Sequence, residues 1–457
     1  MRRKVVVLQT ISIVGLVLLF IAGPQSGRLR YEQIKETNAE LPLSSKSGHS
    51  LQSRLNIKEN GTSTPSSGHP PTVDMKHPDE KLLDAASLYV DAIIAPGDTN
   101  LLKLECPVPS GDRYEHLRFY EESDWNAQNI EEDPLKYFFA LDLYQCAYVL
   151  ARLLGSILEA MKFLGPQHCA LSIVEGRSKD GTFETLLLLT EQLDQLGVRF
   201  FLQSNERNPQ RVGGGATGDR IEALVILRNQ ALQPLVDLQL GDDTEITVVF
   251  VNDVAICMED MLELIYQRYR QNADMTCAMD WEVGAATFFY DAWISRGING
   301  DSFFPISPDG NWDNATNLFW NDPTTLKLFN AGRPFQVFSC WNGAVTFTAK
   351  PIIQQKIQFR NAPTSECLQG EPVSFCKDLW IEGYGRIAVI PSVNLAYSNE
   401  KGREIKASKG YVTDFLGTNE DKKDKIEWEE KPPEKVKCIP SWTNQYWVPW
   451  NNTQFTE

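Results

Sequence analysis

The apolar pattern is strongest at the N-terminus. Val5 to Gly23 runs for 19 residues without a charge, and Arg2, Arg3 and Lys4 stand directly before it. A helix needs roughly 20 apolar residues to cross a bilayer, and flanking basic residues stay on the cytoplasmic side. The pattern therefore predicts a signal anchor, with the chain beyond it lumenal. The competing reading, a cleaved signal peptide, requires an apolar core of about 7–15 residues and a small-residue cleavage site. Ala22-Gly23-Pro24 is a poor version of that site. From Gly27 to Pro78 the chain is rich in Ser, Lys, Asn, Gly and Pro. Such a stretch buries too little apolar surface to order itself, so it reads as a stalk.

Beyond the stalk, Leu82 to Ile94 and Pro134 to Leu164 carry apolar residues at helical spacing, the second ending at Gly165-Pro166. Residues 79–165 are thus expected to be mostly helical, a cap on the larger domain after them. Ala170 to Val174 reads as a strand. An amphipathic helix comes next, with Phe183, Leu186, Leu187, Leu193 and Leu196 on one face, Thr182 as N-cap and Gly197 as stop. Val198 to Leu202 is a second strand, and the βαβ order implies a right-handed parallel crossover. A glycine-rich loop, Gly213 to Gly218, leads to a helix from Asp219 to Leu232 that Pro234 should end. Ile246 to Val251 is the most strand-like segment and runs into Asn252-Asp253. A helix over Glu259–Arg270 and a strand over Met275–Met279 succeed it. The order predicts an α/β fold with a mostly parallel central sheet. The expected divisions are 1–26 tail and anchor, 27–78 stalk, 79–165 helical part, 166–410 α/β domain and 411–457 C-terminal extension. Residues 419–436 read as a solvated mixed-charge segment.

Composition narrows the partners. A net charge of −16 argues against nucleic acid, which is bound through Lys and Arg that displace counterions. Nine cysteines in an oxidising lumen should pair in part. Cys367 and Cys376 lie close enough for a local loop, while Cys169, Cys257 and Cys277 sit in apolar runs that suit buried thiols. Without a CxxC, a zinc site is not expected. Sequons at Asn60, Asn314 and Asn451 suit a glycosylated lumenal protein.

Three segments are candidates for chemistry. In an open α/β sheet ligands bind beyond the carboxyl ends of the strands, which places Asp253 where a carboxylate meets a metal–diphosphate. Mg²⁺ or Mn²⁺ takes one or two carboxylates plus phosphate oxygens. The same residue also fits an ordinary turn or helix cap. The loop Glu175–Thr182 could wrap a nucleotide at a helix N-terminus, or could be a plain βα loop. Arg220 and Arg228 could reach phosphates, or could form ion pairs. In the C-terminal half, Trp341-Asn342-Gly343 with Glu366, Glu371, Asp378 and Glu382 offers aromatic and acidic groups that suit sugar recognition; core packing and solvated positions are the commoner reading. Neither Gly-x-Ser-x-Gly nor HExxH occurs, and there are only five histidines.

Seven segments then appear in order over roughly residues 135–400: SIVEGRSKDGT, RIEALVILRNQALQPL, VVFVNDVAICMEDMLELI, ADMTCAMDW, FYDAWISRGINGDSFF, FSCWNGAVTF and SECLQGEPVSFCKDLWIEGYGRIAVIPSVNLAYS. Together they resemble the fungal α-1,3-mannosyltransferase and capsule-associated protein family, glycosyltransferase family 69. The resemblance implies a GT-A-like nucleotide-sugar-binding fold, a GDP-mannose donor and a divalent cation, Mn²⁺ or Mg²⁺. It also implies transfer to the 3-hydroxyl of a mannose-containing glycan acceptor with retention, and a single-pass type II position in the Golgi membrane. The alternatives are a transferase that uses another nucleotide sugar, or a non-catalytic polysaccharide assembly or export factor. By position it implies that Asp253 is the acidic metal site, with Glu371 and Asp378 as further catalytic candidates. Glu175, Gly176, Ser178, Asp180, Gly181, Thr182, Arg228, Asn229 and Asn252 would meet the nucleotide sugar. Asp280, Trp341, Asn342 and Gly343 would meet the acceptor sugar. Two departures stand out. Val251-Asn252-Asp253 offers one carboxylate in place of Asp-x-Asp, and Gly370-Glu371-Pro372 stands where the family has Ser-Glu-Cys.

Overall fold

The computed structural model describes residues 78–451 apart from 96, 110–111, 119–133, 207–216, 242–243, 285 and 417–424. The anchor, the stalk, Asn60 and most of the glycine-rich loop at 213–218 lie outside the described residues, as does the first part of the 419–436 segment. Among the described residues no helix is long and apolar enough to cross a membrane.

Helix α1 (Glu80–Ile94) precedes strand β1 (Tyr137–Leu143) and helix α2 (Ala147–Leu164). Strand β2 (Cys169–Glu175), helix α3 (Thr182–Gln195), strand β3 (Arg199–Ser204) and helix α4 (Thr217–Asp237) follow. Then come β4 (Thr247–Val251), α5 (Met258–Gln271), β5 (Met275–Val283), β6 (Thr287–Phe289) and β7 (Arg296–Gly297). The rest is α6 (Pro323–Asn330), β8 (Phe335–Ser339), β9 (Ala344–Thr348), α7 (Lys350–Ile353), α8 (Glu371–Ile381), β10 (Ile387–Leu395), α9 (Asn399–Lys409), α10 (Val412–Phe415), β11 (Lys435–Ser441) and β12 (Asn444–Pro449).

The main sheet runs β3-β2-β1-β4-β9-β5-β10-β8-β7, with β6 paired to β5. Strands β1, β2, β3 and β4 pair in parallel, as do β5 and β10. Strand β9 lies between β4 and β5 and runs against both. The sheet is therefore mixed, not mostly parallel. Parallel neighbours require a crossover of a dozen or more residues, usually a helix. Helices of that kind follow β1 to β4, whereas β9 is entered through the short loop 340–343.

Both faces of the sheet are covered, so its strands read as continuous apolar runs. In β1, Phe138 and Ala140 enter one core with Leu227 and Ala231 of α4, while Phe139 and Leu141 enter the other with Leu153 and Ile157 of α2. Helix α2 is buried almost all round. Pro134–Leu164, expected as one helix, is thus a central strand followed by a buried helix. A short apolar run cannot be told from a buried helix by periodicity alone.

Three smaller expectations also change. Pro234 lies inside α4 and does not end it. Its missing N–H leaves the Gln230 carbonyl short of a helical donor, and Gln203 Nε2 donates to that carbonyl at 3.3 Å. The cap of α3 is Gly181, with φ at 91°, and Thr182 is the first helical residue. Disulfides join Cys106 to Cys257, Cys277 to Cys340 and Cys367 to Cys438, leaving Cys146, Cys169 and Cys376 as buried thiols. Cys169 is a thiol as expected, whereas Cys257 and Cys277 are not, and Cys367 pairs far along the chain. Spacing does not reveal which cysteines the fold brings together.

The hairpin of β11 and β12 is tied to the body around Gly300. Lys437 N donates to Gly300 O at 2.8 Å, and Arg296 Nε donates to Lys437 O at 2.7 Å. Gly300 has φ at 79°, and a Cβ there would collide with the Lys435 carbonyl. Asn314 and Asn451, the two sequons that can be placed, are exposed.

Candidate functional site

The site lies at the carboxyl edge of the sheet, where β1, β4 and β5 end beside the start of β9. Asn252 and Asp253 follow β4. Asn252 N donates to Gly343 O at 2.9 Å, and Trp341 Nε1 donates to Asn252 Oδ1 at 3.1 Å. The register explains this meeting, because the last residue of β4, Val251, pairs with the first of β9, Ala344. Asn342 and Gly343 turn the chain into β9 with φ at 57° and 81°. Asn342 is buried and holds this turn: Nδ2 donates to Ala278 O at 2.7 Å, Oδ1 accepts from Ser295 Oγ at 2.7 Å, and N donates to Asp291 Oδ2 at 2.8 Å.

Asp253 is half-buried, and Tyr148 in the first turn of α2 donates its hydroxyl to Asp253 Oδ2 at 3.2 Å. One strand away, Asp142 sits near the end of β1. Strand alternation puts it on the same face as Phe138 and Ala140, which α4 covers. Burial pushes its carboxyl up to about 6, with Arg228 opposing and Asp253 and Glu371 adding to the push. Arg228 and Glu371 form a buried ion pair at 3.1 Å, and the guanidinium stacks 4.2 Å over Trp341. Arg228 Nε and Nη1 and Glu371 Oε1 nevertheless make no well-directed hydrogen bond.

A second pair of carboxylates adjoins the first. Asp280 Oδ1 accepts from Asp291 N at 3.3 Å, and Oδ2 accepts from the Tyr397 hydroxyl at 2.7 Å. Burial, then the Asp291 charge, holds Asp280 well above the usual carboxylate range. Burial raises Asp291 to about 6 against its bond from Asn342 N and the pull of Arg228.

The loop over 175–182 is braced from within. Glu175 is buried and accepts from Arg177 N at 2.8 Å and Ser178 N at 2.7 Å. Ser178 Oγ accepts from Gln145 N at 2.8 Å, and Gly176 N donates to Leu143 O at 2.9 Å. Asp180 accepts from Thr182 N at 3.1 Å and Ala147 N at 3.0 Å, so one carboxylate serves the starts of α3 and α2. Ala147 and Tyr148 are neighbours, and this links the loop to Asp253.

Of the residues singled out by sequence, Asp253, Asn252, Arg228, Glu371, Asp280, Trp341, Asn342 and Gly343 come together. Glu175, Gly176, Ser178, Asp180, Gly181 and Thr182 form the adjoining braced loop. Asn229 faces elsewhere: its amide brackets Phe359, donating to its carbonyl at 2.8 Å and accepting from its N–H at 2.9 Å. Asp378 is held by Arg360 through contacts of 2.7 and 2.8 Å, away from Asp253's hydrogen-bonded neighbours. Trp341 is 1% exposed with Arg228 over its ring, so it has no open face for a sugar. Asp142, Tyr148 and Asp291 were not singled out. The clue for Asp142 was YFFALD, an aromatic run ending in an acid, hidden in a stretch read as helix.

The family model described as Cryptococcal mannosyltransferase 1 matches residues 136–378, a span that holds Asp142, Asp253, Asp280, Trp341 and Glu371. Alpha-1,3-mannosyltransferase CMT1 of Cryptococcus neoformans var. neoformans serotype D is 34% identical over 340 residues, covering 69% of this chain and 72% of that protein. Among solved structures, S. aureus TarS 1–349 is 14% identical at a TM-score of 0.33, covering 58% of this chain and 60% of its own. The mannosyltransferase PcManGT from Pyrobaculum calidifontis, solved with GDP-Man and Mn²⁺, is 11% identical at a TM-score of 0.33, covering 72% of this chain and 71% of its own. With its carboxylate-lined sheet edge inside the matched span, the chain belongs to the Cryptococcal mannosyltransferase 1 family and is a glycosyltransferase.

Proposed function

We propose that the chain transfers mannose from GDP-mannose to the 3-hydroxyl of a mannose-containing glycan, with retention and with a bound divalent cation. The observation that carries this reading is Asp253, held by Tyr148 at the carboxyl edge of the sheet with Asp142 one strand away. The CMT1 relative is an alpha-1,3-mannosyltransferase, which supports the sugar and the linkage.

Among the described residues no three or more His, Cys, Asp or Glu side chains are arranged to hold a metal ion. Mn²⁺ or Mg²⁺ bound with a diphosphate needs only one or two protein carboxylates, and Asp253 with Asp142 offers two hard oxygen donors. Such an ion would neutralise charge on the departing nucleoside diphosphate. Arg228 supplies a fixed positive charge beside Asp142, stacked over Trp341 and paired with Glu371. Trp341 and Asn252 hold the Asp253 turn, and the braced loop at 175–182 lies beside the donor. No side chain is assigned as a base: a donor phosphate oxygen takes the acceptor proton, unlike the paired carboxylates of retaining glycosidases. The apolar run at Val5–Gly23 and three disulfides support a Golgi membrane protein with its catalytic part in the lumen.

The test is to incubate the detergent-solubilised chain with a panel of nucleotide sugars, an α-mannoside and either Mn²⁺ or a chelator. GDP release and a 3-linked product only from GDP-mannose with metal is the expected result. Transfer from a different nucleotide sugar, or metal-independent transfer, would overturn it.

A further inference from the structure

An acceptor sugar needs a surface next to the donor, and the buried ring of Trp341 does not supply one. Tyr290 does. It follows β6, which pairs back on the carboxyl half of β5, and it is 47% exposed. A single exposed ring is ordinary on a protein surface; what marks Tyr290 is its place, bonded to the Asp280 backbone and next in sequence to Asp291 at the edge of the site.

The ring is also held in place. Tyr290 N donates to Asp280 O at 3.0 Å, and Ala292 N donates to Tyr290 O at 2.9 Å. Its ring packs on Tyr397 with centroids 4.8 Å apart, and the Tyr397 hydroxyl is fixed by Asp280. Burial, then the charges of Asp280 and Asp291, push the pKa of the Tyr290 hydroxyl up. A rigid aromatic face with carboxylates behind it matches a hexose, whose C–H face packs on a ring while its hydroxyls donate to acceptors.

Continuity with the donor side is direct. Asp291, adjacent in sequence to Tyr290, accepts from Asn342 N in the turn that also carries Trp341. Arg228 and Glu371 act electrostatically on Asp291. Both are over nine-tenths buried, yet Arg228 Nε and Nη1 and Glu371 Oε1 lack well-directed hydrogen bonds. Buried polar atoms left in that state are costly unless a ligand meets them.

Resting on the mannosyltransferase reading, we infer that Tyr290 sets acceptor specificity: its open face carries the acceptor's sugar ring, buttressed by Tyr397, with Asp280 and Asp291 behind. The ring is preorganised, so little ordering cost accompanies binding.

The test compares the full-length chain with Tyr290→Ala and Tyr290→Phe. Binding of a methyl α-mannoside and of GDP-mannose is measured separately, without turnover. Tyr290→Ala should weaken mannoside binding by about tenfold, which is about 1.4 kcal/mol, while the melting temperature and GDP-mannose binding hold. Tyr290→Phe should keep mannoside binding within about threefold, because the face and not the hydroxyl makes the contact. Unchanged mannoside binding in Tyr290→Ala, or an equal loss of GDP-mannose binding, would overturn the inference. A parent chain that binds the mannoside but not GDP-mannose would strike the donor reading instead, leaving the Tyr290 comparison valid.

Discussion

Arg228 and Glu371 meet at 3.1 Å with side chains 7% and 2% exposed, and the guanidinium lies over Trp341. They come from α4 and the first turn of α8, so the pair joins distant parts of the chain at the floor of the site. Removing one member of a buried pair strands the other charge, at a typical cost of about 3–5 kcal/mol. Glu371→Ala should therefore lower thermal stability markedly and reduce transfer. The double variant Arg228→Met/Glu371→Leu should recover much of the melting temperature without recovering transfer. Recovery of both would reduce the pair to packing.

Asp142→Asn keeps the shape of the side chain and removes its charge. If Asp142 works beside Asp253, transfer should fall by about 100-fold, equivalent to about 2.7 kcal/mol of barrier. The fold should persist, since a neutral amide is cheaper to bury than a carboxylate. Steady-state transfer together with circular dichroism separates these effects; a drop below about fivefold would remove Asp142 from the site.

Glu259 gives one testable contribution to the pH dependence of stability, alongside the raised carboxyls of Asp142, Asp280 and Asp291. It lies buried in the first turn of α5, and neither carboxylate oxygen has a hydrogen-bond partner. Burial, then Asp260 and Glu263, raise its pKa to about 7, while Lys406 and Arg113 pull it back. A raised folded-state pKa means the folded chain holds its proton longer than the unfolded one. The stability this adds is complete below the unfolded value of about 4.3 and is lost as pH rises through about 7. Glu259→Gln should thus melt higher than the parent at pH 8, by about 2 °C, and no higher at pH 4. Parallel melting curves across that range would refute the assignment.

Thiol chemistry checks the cysteine pattern. Alkylation of the native protein should spare Cys146, Cys169 and Cys376, which are buried, and alkylation after unfolding without reductant should label those three. Peptide mapping should recover the three disulfide pairs. Replacing Cys277 and Cys340 by Ala opens a 63-residue separation, which the loop-closure estimate puts at about 4 kcal/mol. A Cys367–Cys376 peptide would show that the local pairing was right after all.

The unit β2-α3-β3 and the passage from β4 into α5 were legible in the sequence, because short apolar runs there are bounded by clear stops. That legibility exposed Asp253. Asp142 stayed hidden because YFFALDL adjoins the apolar α2 and the two merge into one helical-looking stretch. For Trp341 the sequence left both sugar contact and core packing open; burial decides between such readings and sequence does not report it, and the ring is buried beneath Arg228. Tyr290 went unremarked because nothing local distinguishes an exposed tyrosine from a packed one. The antiparallel course of β9 was equally invisible, since its partners lie far away in the chain.

That course of β9 has a consequence for the timing of synthesis. Strands β4 and β5 are both made before β9, yet they never pair with each other; residues 344–348 fill the gap between them and pair with both. Asn252 waits on Trp341, 89 residues later, and Arg228 waits longer still for Glu371. A growing polypeptide therefore exposes Asp253 well before the surroundings that make it useful. On the proposed reading, the site stays incomplete until Glu371, at the start of α8, has been made.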